Sequence, residues 1–127
     1  MDETRLADVL SQLLKRIVPP GVHIQGGAGG FWLFYDGEGT NSTDIEPVSF
    51  GAQFRINDVV TAEEQVRITC ESVLADLQTF LVRVTGSPWP GEHLLPEAHA
   101  VLVDRRVELY YGYPNSRVLD CGVIDLA

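Results

Sequence analysis

The segment between residues 61 and 90 constrains the fold more than any other part of this sequence. Thr61 precedes Glu64 by three residues, the spacing of a capping box, in which each side chain bonds to the backbone N–H of the other residue. Gly86 and the two prolines after it are typical of a helix C-terminus. We therefore predict a helix over Ala62–Thr85. Its apolar residues recur every three or four positions and should form the buried stripe: Val66, Cys70, Val73, Leu74, Leu77, Leu81 and Val84.

The opposite side of this helix carries Arg67, with Glu63 and Glu71 four residues away in either direction. Opposite charges at this spacing face each other on a helix surface, so we expect both ion pairs to form on the solvated side. Cys70 lies on the apolar stripe, which favours an inert buried thiol over a nucleophile.

A second amphipathic helix is predicted near the start of the chain, over Asp2–Val18. Lys15 and Arg16 fall near its C-terminus, where the helix dipole favours positive charge. A Pro-Pro-Gly sequence follows and ends the helix. The apolar stripe has the same three- and four-residue spacing: Leu6, Val9, Leu10, Leu13, Leu14 and Ile17.

The remaining segments have the two-residue period of strands and are separated by turns. We interpret Gly37–Pro47 as a loop and expect a bulge at Gly122 in the last strand. The turn over Asp104–Arg106 lacks the Asn-Gly or Asp-Gly pair that favours a tight hairpin. The predicted strands are Val22–Gln25, Phe31–Tyr35, Ser49–Ile56, Ala98–Val103, Val107–Tyr111 and Val118–Leu126.

The order of these elements, α-β-β-β-α-β-β-β, predicts an α+β fold. Short connections favour antiparallel neighbours, so we expect one mainly antiparallel sheet of five or six strands. Two amphipathic helices that cover one face of this sheet would complete a two-layer sandwich. A chain of 127 residues has the length of one domain, and we assign residues 1–127 to a single domain.

Eighteen acidic and nine basic side chains give the chain a formal net charge of −9. Nucleic-acid binding depends on Lys and Arg side chains that neutralise phosphates, so this balance opposes it. The two cysteines form no disulfide framework, no apolar run is long enough to span a membrane, and the N-terminus lacks the pattern of a signal peptide. We expect a cytoplasmic protein that binds neither nucleic acid nor membrane. Its acidity serves solubility or attracts a basic protein partner.

No sequence motif specifies a reaction or a ligand. The run Gly26–Gly30 precedes a strand of bulky residues instead of a helix, which indicates a turn and not a phosphate loop. The acidic segment from Asp36 lacks the glycine and the glutamate that a calcium loop needs at its sixth and twelfth positions. His93, Glu97 and His99 are interrupted by a proline and do not form a converging ligand set. We expect no cofactor, no metal and no catalytic residue.

Two predicted strands carry apolar residues on both faces, whereas a sheet with one solvated face should carry polar residues on that face. Every residue of Phe31–Tyr35 is apolar or aromatic, and Ala100–Val103 is similar. Soluble monomers rarely leave such a patch exposed, so the second face needs cover. Three sources of cover are open: the chain itself, a second copy and another protein. The candidate interaction residues are Trp32, Phe34, Trp89 and Tyr110.

The sequence therefore predicts a non-catalytic, adaptor-like or chaperone-like module that binds a protein partner or a second copy through an apolar sheet face in acidic surroundings. The alternative is a small-molecule-binding domain or small enzyme with a pocket between sheet and helices, in which His23, His93 or His99 supplies a polar group. A third reading, an inhibitor of a basic toxin, is suggested by the acidity alone. The order of elements resembles that of small secretion-chaperone domains, which are acidic and often dimeric, and this likeness assigns no site residue.

Overall fold

The computed structural model describes residues 3–27, 30–36, 44–49, 61–91 and 95–126. The α+β class and the predicted order of elements are confirmed. This order consists of two successive α-β-β-β units. The elements are α1 (Glu3–Leu14), β1 (Val22–Gly27), β2 (Gly30–Tyr35), β3 (Asp44–Ser49), α2 (Ala62–Thr85), β4 (Ala98–Val103), β5 (Arg106–Tyr113) and β6 (Ser116–Asp125).

The strands form two antiparallel sheets, with the orders β1-β2-β3 and β4-β5-β6. The prediction of one sheet of five or six strands is therefore not confirmed within the described residues. Each sheet is a meander in which neighbours in sequence are neighbours in space. The 24 residues of α2 span about 36 Å, and the second meander begins only after this helix. Strand periodicity shows which segments are strands, but it does not show which strands share a sheet.

The third strand lies earlier in the chain than the sequence predicted. It covers Asp44–Ser49, most of which was interpreted as loop, and the predicted strand Ser49–Ile56 lies outside the described residues except for its first position. The segment was interpreted as a loop because Gly37–Pro47 is rich in Gly, Asn, Ser, Thr and Asp. It also ends in a proline, which lacks the N–H that a central strand needs. In this sheet β3 is an outer strand, with Pro47 opposite Trp32, and an outer strand tolerates proline.

The first helix ends at Leu14, four residues earlier than predicted. Beyond it the chain tightens into a turn, in which the N–H groups of Arg16 and Ile17 donate to the carbonyl oxygens three residues before them. Lys15 and Arg16 therefore follow the helix instead of occupying its last turn.

The second helix has the predicted limits, and both of its caps are formed. The Thr61 hydroxyl accepts from the Glu64 N–H at 3.1 Å, and Gly86 adopts the left-handed conformation, with its N–H donating to the Val82 carbonyl. The Glu64 carboxylate turns to Arg67, whose hydrogen bond lowers the pKa of Glu64.

Arg67 also binds Glu71 at 2.8 Å, so one of its two predicted ion pairs is present. The other prediction was wrong, because Glu63 binds Arg105 at 3.1 Å. Arg105 lies in the turn between β4 and β5, and this long-range ion pair fastens that hairpin to the start of α2.

Both helices contact strands from both sheets. The first packs on β1 and β2 and also touches β6, while α2 packs on β4 and β5 and also on β2 and β3. A single apolar cluster therefore joins the two α-β-β-β units. Inside it the buried Tyr111 hydroxyl donates to the Leu74 carbonyl of α2 at 2.6 Å, so β5 is tied to the middle of the helix.

The second sheet contains the predicted hairpin and the predicted bulge. Asp104 and Arg105 both have positive φ, 49° and 60°, which is the conformation of a two-residue type I′ turn despite the lack of glycine. Pairing between β5 and β6 shifts between Leu109 and Tyr110, opposite Gly122, whose φ is 113°. A second shift follows Tyr111, where Gly112 has a φ of 112°.

Gly112→Ala should lower the free energy of unfolding by about 3 kcal/mol or more, because a β-carbon there would meet the Val118 nitrogen at 2.8 Å and the Ser116 carbonyl oxygen at 2.9 Å, in a backbone conformation that favours glycine. Gly86→Ala is the matched control. Its φ of 71° is also positive, but its β-carbon would touch nothing, and we expect a loss of about 1 kcal/mol. Urea denaturation of both variants measures the difference. Equal losses would show that the close backbone approach at Gly112 has no energetic weight.

Candidate functional site

The first sheet has one face in the core and one face outside it. On β2, Phe31 and Leu33 are buried, while Trp32 and Phe34 point to the other side. The neighbours of these two aromatic residues on the adjacent strands complete that side. We call it the outer face of the first sheet, and it consists of His23, Gln25, Trp32, Phe34, Ile45 and Pro47.

Three apolar side chains shape a cleft on this outer face. Trp32 is 47% exposed and Ile45 is 54% exposed, while Phe34 between them is half-buried. The open space among them is about 410 Å³ and is also lined by Gln25 and Gly26. We call it the Trp32 cleft. An apolar side chain from another molecule could enter it and remove both exposed residues from water.

None of the described residues that line the Trp32 cleft is charged. The nearest titratable pair along the same strands is at one end of the outer face, where His23 Nε2 lies 3.0 Å from Asp36 Oδ1 and both side chains are exposed. A partner that docks over the cleft would therefore remove no charged lining side chain of the described residues from water. Removing a charge from water is the largest cost of burying polar surface.

Trp89, which the sequence grouped with Trp32, has a different environment. It is half-buried against the core, and its ring meets Tyr111 edge-on with the ring centroids 5.1 Å apart. Its carbonyl accepts a hydrogen bond from the Gln78 side chain of α2. Trp89 does not line the Trp32 cleft, and it serves to attach the segment after α2 to the core.

Tyr110 is only 2% exposed, although it points away from the core. The guanidinium of Arg117 lies 4.2 Å from its ring centroid, and the His99 ring packs at 5.3 Å. Arg117 is held by Asp120 at 3.3 Å and Glu108 at 3.6 Å. At this point the chain itself covers the second sheet, so Tyr110 is not available to a partner in this conformation.

The two described histidines of the alternative interpretation, His23 and His99, belong to different sheets. His93 lies outside the described residues. His99 lies 3.8 Å from Glu71 and 3.7 Å from Glu97, but within the described part of the chain no three His, Cys, Asp or Glu residues could hold a metal ion.

A polar groove on the other side of β1 was missed by the sequence analysis. It is about 610 Å³ and lies between α1 and Gly26. A β-carbon on Gly26 would be 3.5 Å from the Ser11 hydroxyl, so the missing side chain of this glycine leaves the groove open. The glycine run was the available signal, although it was interpreted only as a turn. The groove is lined by Thr4, Arg5, Asp8, Ser11, Gln12, Lys15 and Gly26.

The sequence also did not identify Ile45 and Gln25 as part of the site. Ile45 fell within the segment interpreted as loop, and Gln25 is a polar residue whose place beside Trp32 depends on strand pairing. Their positions follow from the register of the first sheet.

Neither described helix is long and apolar enough to cross a membrane.

Both cysteines should be unreactive in the folded protein. Burial raises the pKa of Cys70 to about 12, and burial together with Asp120 raises the pKa of Cys121 to about 12. Only about one thiol in ten thousand would be a thiolate at pH 8. A thiol-reactive chromophore should label neither cysteine in the native protein and both in denaturant. Rapid labelling of one cysteine under native conditions would show a more accessible thiol than this structure contains.

The features of the candidate site are thus an uncharged apolar cleft on one sheet and a polar groove beside the same edge strand. No known protein family, curated protein sequence or solved structure matches the chain. The function therefore has to be inferred from the residues of the site.

Proposed function

We propose that this chain is a non-catalytic protein-binding module that takes an apolar side chain of its partner into the Trp32 cleft. The observation that supports this proposal is the exposure of Trp32 and Ile45 on either side of Phe34. Exposed large apolar residues that cluster on a sheet face mark interaction surfaces more often than isolated ones do.

Trp32 has the properties of an interface anchor. Covering its exposed half would remove on the order of 100 Å² of apolar surface from water, which is worth about 2–3 kcal/mol. Tryptophan is also enriched among the few residues that carry most of the binding energy of an interface. Phe34 and Ile45 would contact the same partner side chain and exclude water around it.

The charge of the chain favours a partner with basic residues around an apolar anchor. The net charge of −9 attracts basic proteins at long range and accelerates their encounter. The described lining of the cleft is uncharged, so an apolar anchor would meet apolar and uncharged polar groups there. Long-range attraction and apolar docking would thus involve different parts of the surface.

A small-molecule ligand is the second candidate, because the volume of the Trp32 cleft falls within the range of ligand sites. The cleft is open on the outer face, which suits a side chain of a larger molecule better than an enclosed metabolite. A thermal-shift screen with metabolites separates the two proposals, since a reproducible rise in melting temperature that depends on Trp32 would favour the ligand.

Trp32→Ala should weaken partner binding by about 2 kcal/mol and leave unfolding cooperative, because Trp32 is half exposed and lies outside the core cluster. The measurement is capture of proteins from host lysate on the tagged chain, followed by titration of any stoichiometric partner against wild type and variant. Val118→Ala is the matched control, since Val118 is 52% exposed on the second sheet. Equal retention of the partner by wild type and Trp32→Ala would reject the cleft as the binding site. Unfolding of Trp32→Ala would assign this residue to the core.

A further inference from the structure

Strand β1 is an outer strand of the first sheet as far as the described residues show. Among the described residues no strand pairs with it on the side away from β2. Gly21 and Asp36 continue the register of β1 and β2 by one residue. The Asp36 N–H donates to the Gly21 carbonyl at 3.0 Å, so Gly21 and Asp36 form a hydrogen-bonded pair. Because hydrogen-bonded and non-bonded pairs alternate, the N–H and C=O groups of Ile24 and Gly26 face away from β2.

The outer edges of the other sheet strands carry features that oppose pairing. On β4, the Arg67 guanidinium of α2 donates to the Ala100 carbonyl at 3.3 Å and occupies that edge. On β3, Pro47 removes an N–H donor, and β6 is interrupted by two irregularities in its register. Proline, bulges and long basic side chains are the means by which natural sheets avoid edge-to-edge association.

Strand β1 itself carries no proline and no bulge, and the basic side chains near its edge, Arg5 and Lys15, come from α1 and the turn after it. The sequence of β1, Val-His-Ile-Gln-Gly-Gly, contains no proline or lysine, and the strand pairs with β2 in unbroken register over six residues. Its two glycines present no side chain that would keep another strand away, so a strand of another chain can approach the edge.

The polar flank of α1 lies beside this edge and has a self-complementary charge pattern. Asp8 lies on α1 and Lys15 directly follows this helix, seven residues later, and both line the groove together with Arg5. A two-fold axis perpendicular to the sheet would place β1 antiparallel to the β1 of a second copy and set the two α1 helices antiparallel beside each other. Asp8 of each copy would then face Lys15 of the other, which gives two equivalent ion pairs.

We propose that two copies of this chain pair through β1, which joins their first sheets into one six-stranded antiparallel sheet. The occupant is a second copy because the charge pattern of the groove complements itself. The outer face of a three-stranded sheet offers only a few hundred Å², below the roughly 800 Å² per partner of a standard interface. Edge pairing together with the α1 flank adds contact area that the outer face alone lacks. This inference does not depend on the proposed role of the Trp32 cleft.

Complementary charge variants test the pairing. Asp8→Lys and Lys15→Asp each place like charges opposite each other at both symmetric contacts, so each variant alone should dimerise about tenfold more weakly than wild type. An equimolar mixture restores attraction at both contacts and should dimerise like wild type. Analytical ultracentrifugation over a concentration series is the measurement, with a wild-type mass of twice 14.0 kDa expected. Arg106→Asp makes the same charge change as Lys15→Asp at an exposed position in the second sheet, and it should leave the mass unchanged.

Gly26→Lys is a second, independent variant. Its β-carbon would make only ordinary contact with Ser11 and its backbone does not require glycine, so the fold should persist while the long charged side chain fills the groove. Circular dichroism checks the fold, and the variant should be a monomer. A monomeric wild type would overturn the proposal. A dimer that survives Gly26→Lys would also overturn it. A dimer that dissociates in Trp32→Ala would overturn it too, because that dimer would use the outer face.

Discussion

The burial of one side of α2 against strands of both sheets is the interaction on which the rest of the structure depends. Each three-stranded meander has one apolar face, and three strands alone provide no second layer that could bury this face. The helix provides that cover for both sheets at once, and α1 adds to it from β1 to β6. The bond from Tyr111 to the Leu74 carbonyl and the ion pair between Glu63 and Arg105 fix the second sheet to the middle and to the start of the helix. The buried residues of both sheets thus belong to one core cluster with the helices, and the proposed binding surfaces lie on the outer face of the first sheet and on its edge.

The parts of the structure that depend on local chemistry could be predicted from the sequence. Both limits of α2 follow from a threonine cap and a glycine cap, each of which bonds to backbone only a few residues away. Alternation along β2 accounts for the burial of Phe31 and Leu33 and the exposure of Trp32, since successive side chains of a strand point to opposite faces. In each of these cases the physical cause lies within about four residues of the feature it determines.

Features that depend on distant residues could not be predicted in this way. The division into two sheets depends on which strands pair. Strand β3 was missed because most of it lies in a segment rich in turn-forming residues, and only its pairing with β2 identifies it as a strand. Tyr110 looked like a binding residue because nothing in its own strand reveals that Arg117 and His99 cover it. The Trp32 cleft could be predicted only in part. Its tryptophan was identified from the sequence, but the position of Ile45 beside it depends on the register between strands.

The hydrogen bond from Arg67 to the Ala100 carbonyl has a consequence for the size of any assembly. In the two α-β-β-β units β1 and β4 hold equivalent positions, as the first strand of each meander. If both edges were open, β1 of one molecule could pair with β4 of the next, and this head-to-tail contact would repeat without limit into a filament. Because a guanidinium of its own chain bonds to the outward carbonyl of β4, a strand that paired there would first have to displace it. The pairing proposed for β1 would then favour a closed pair over a repeating head-to-tail contact.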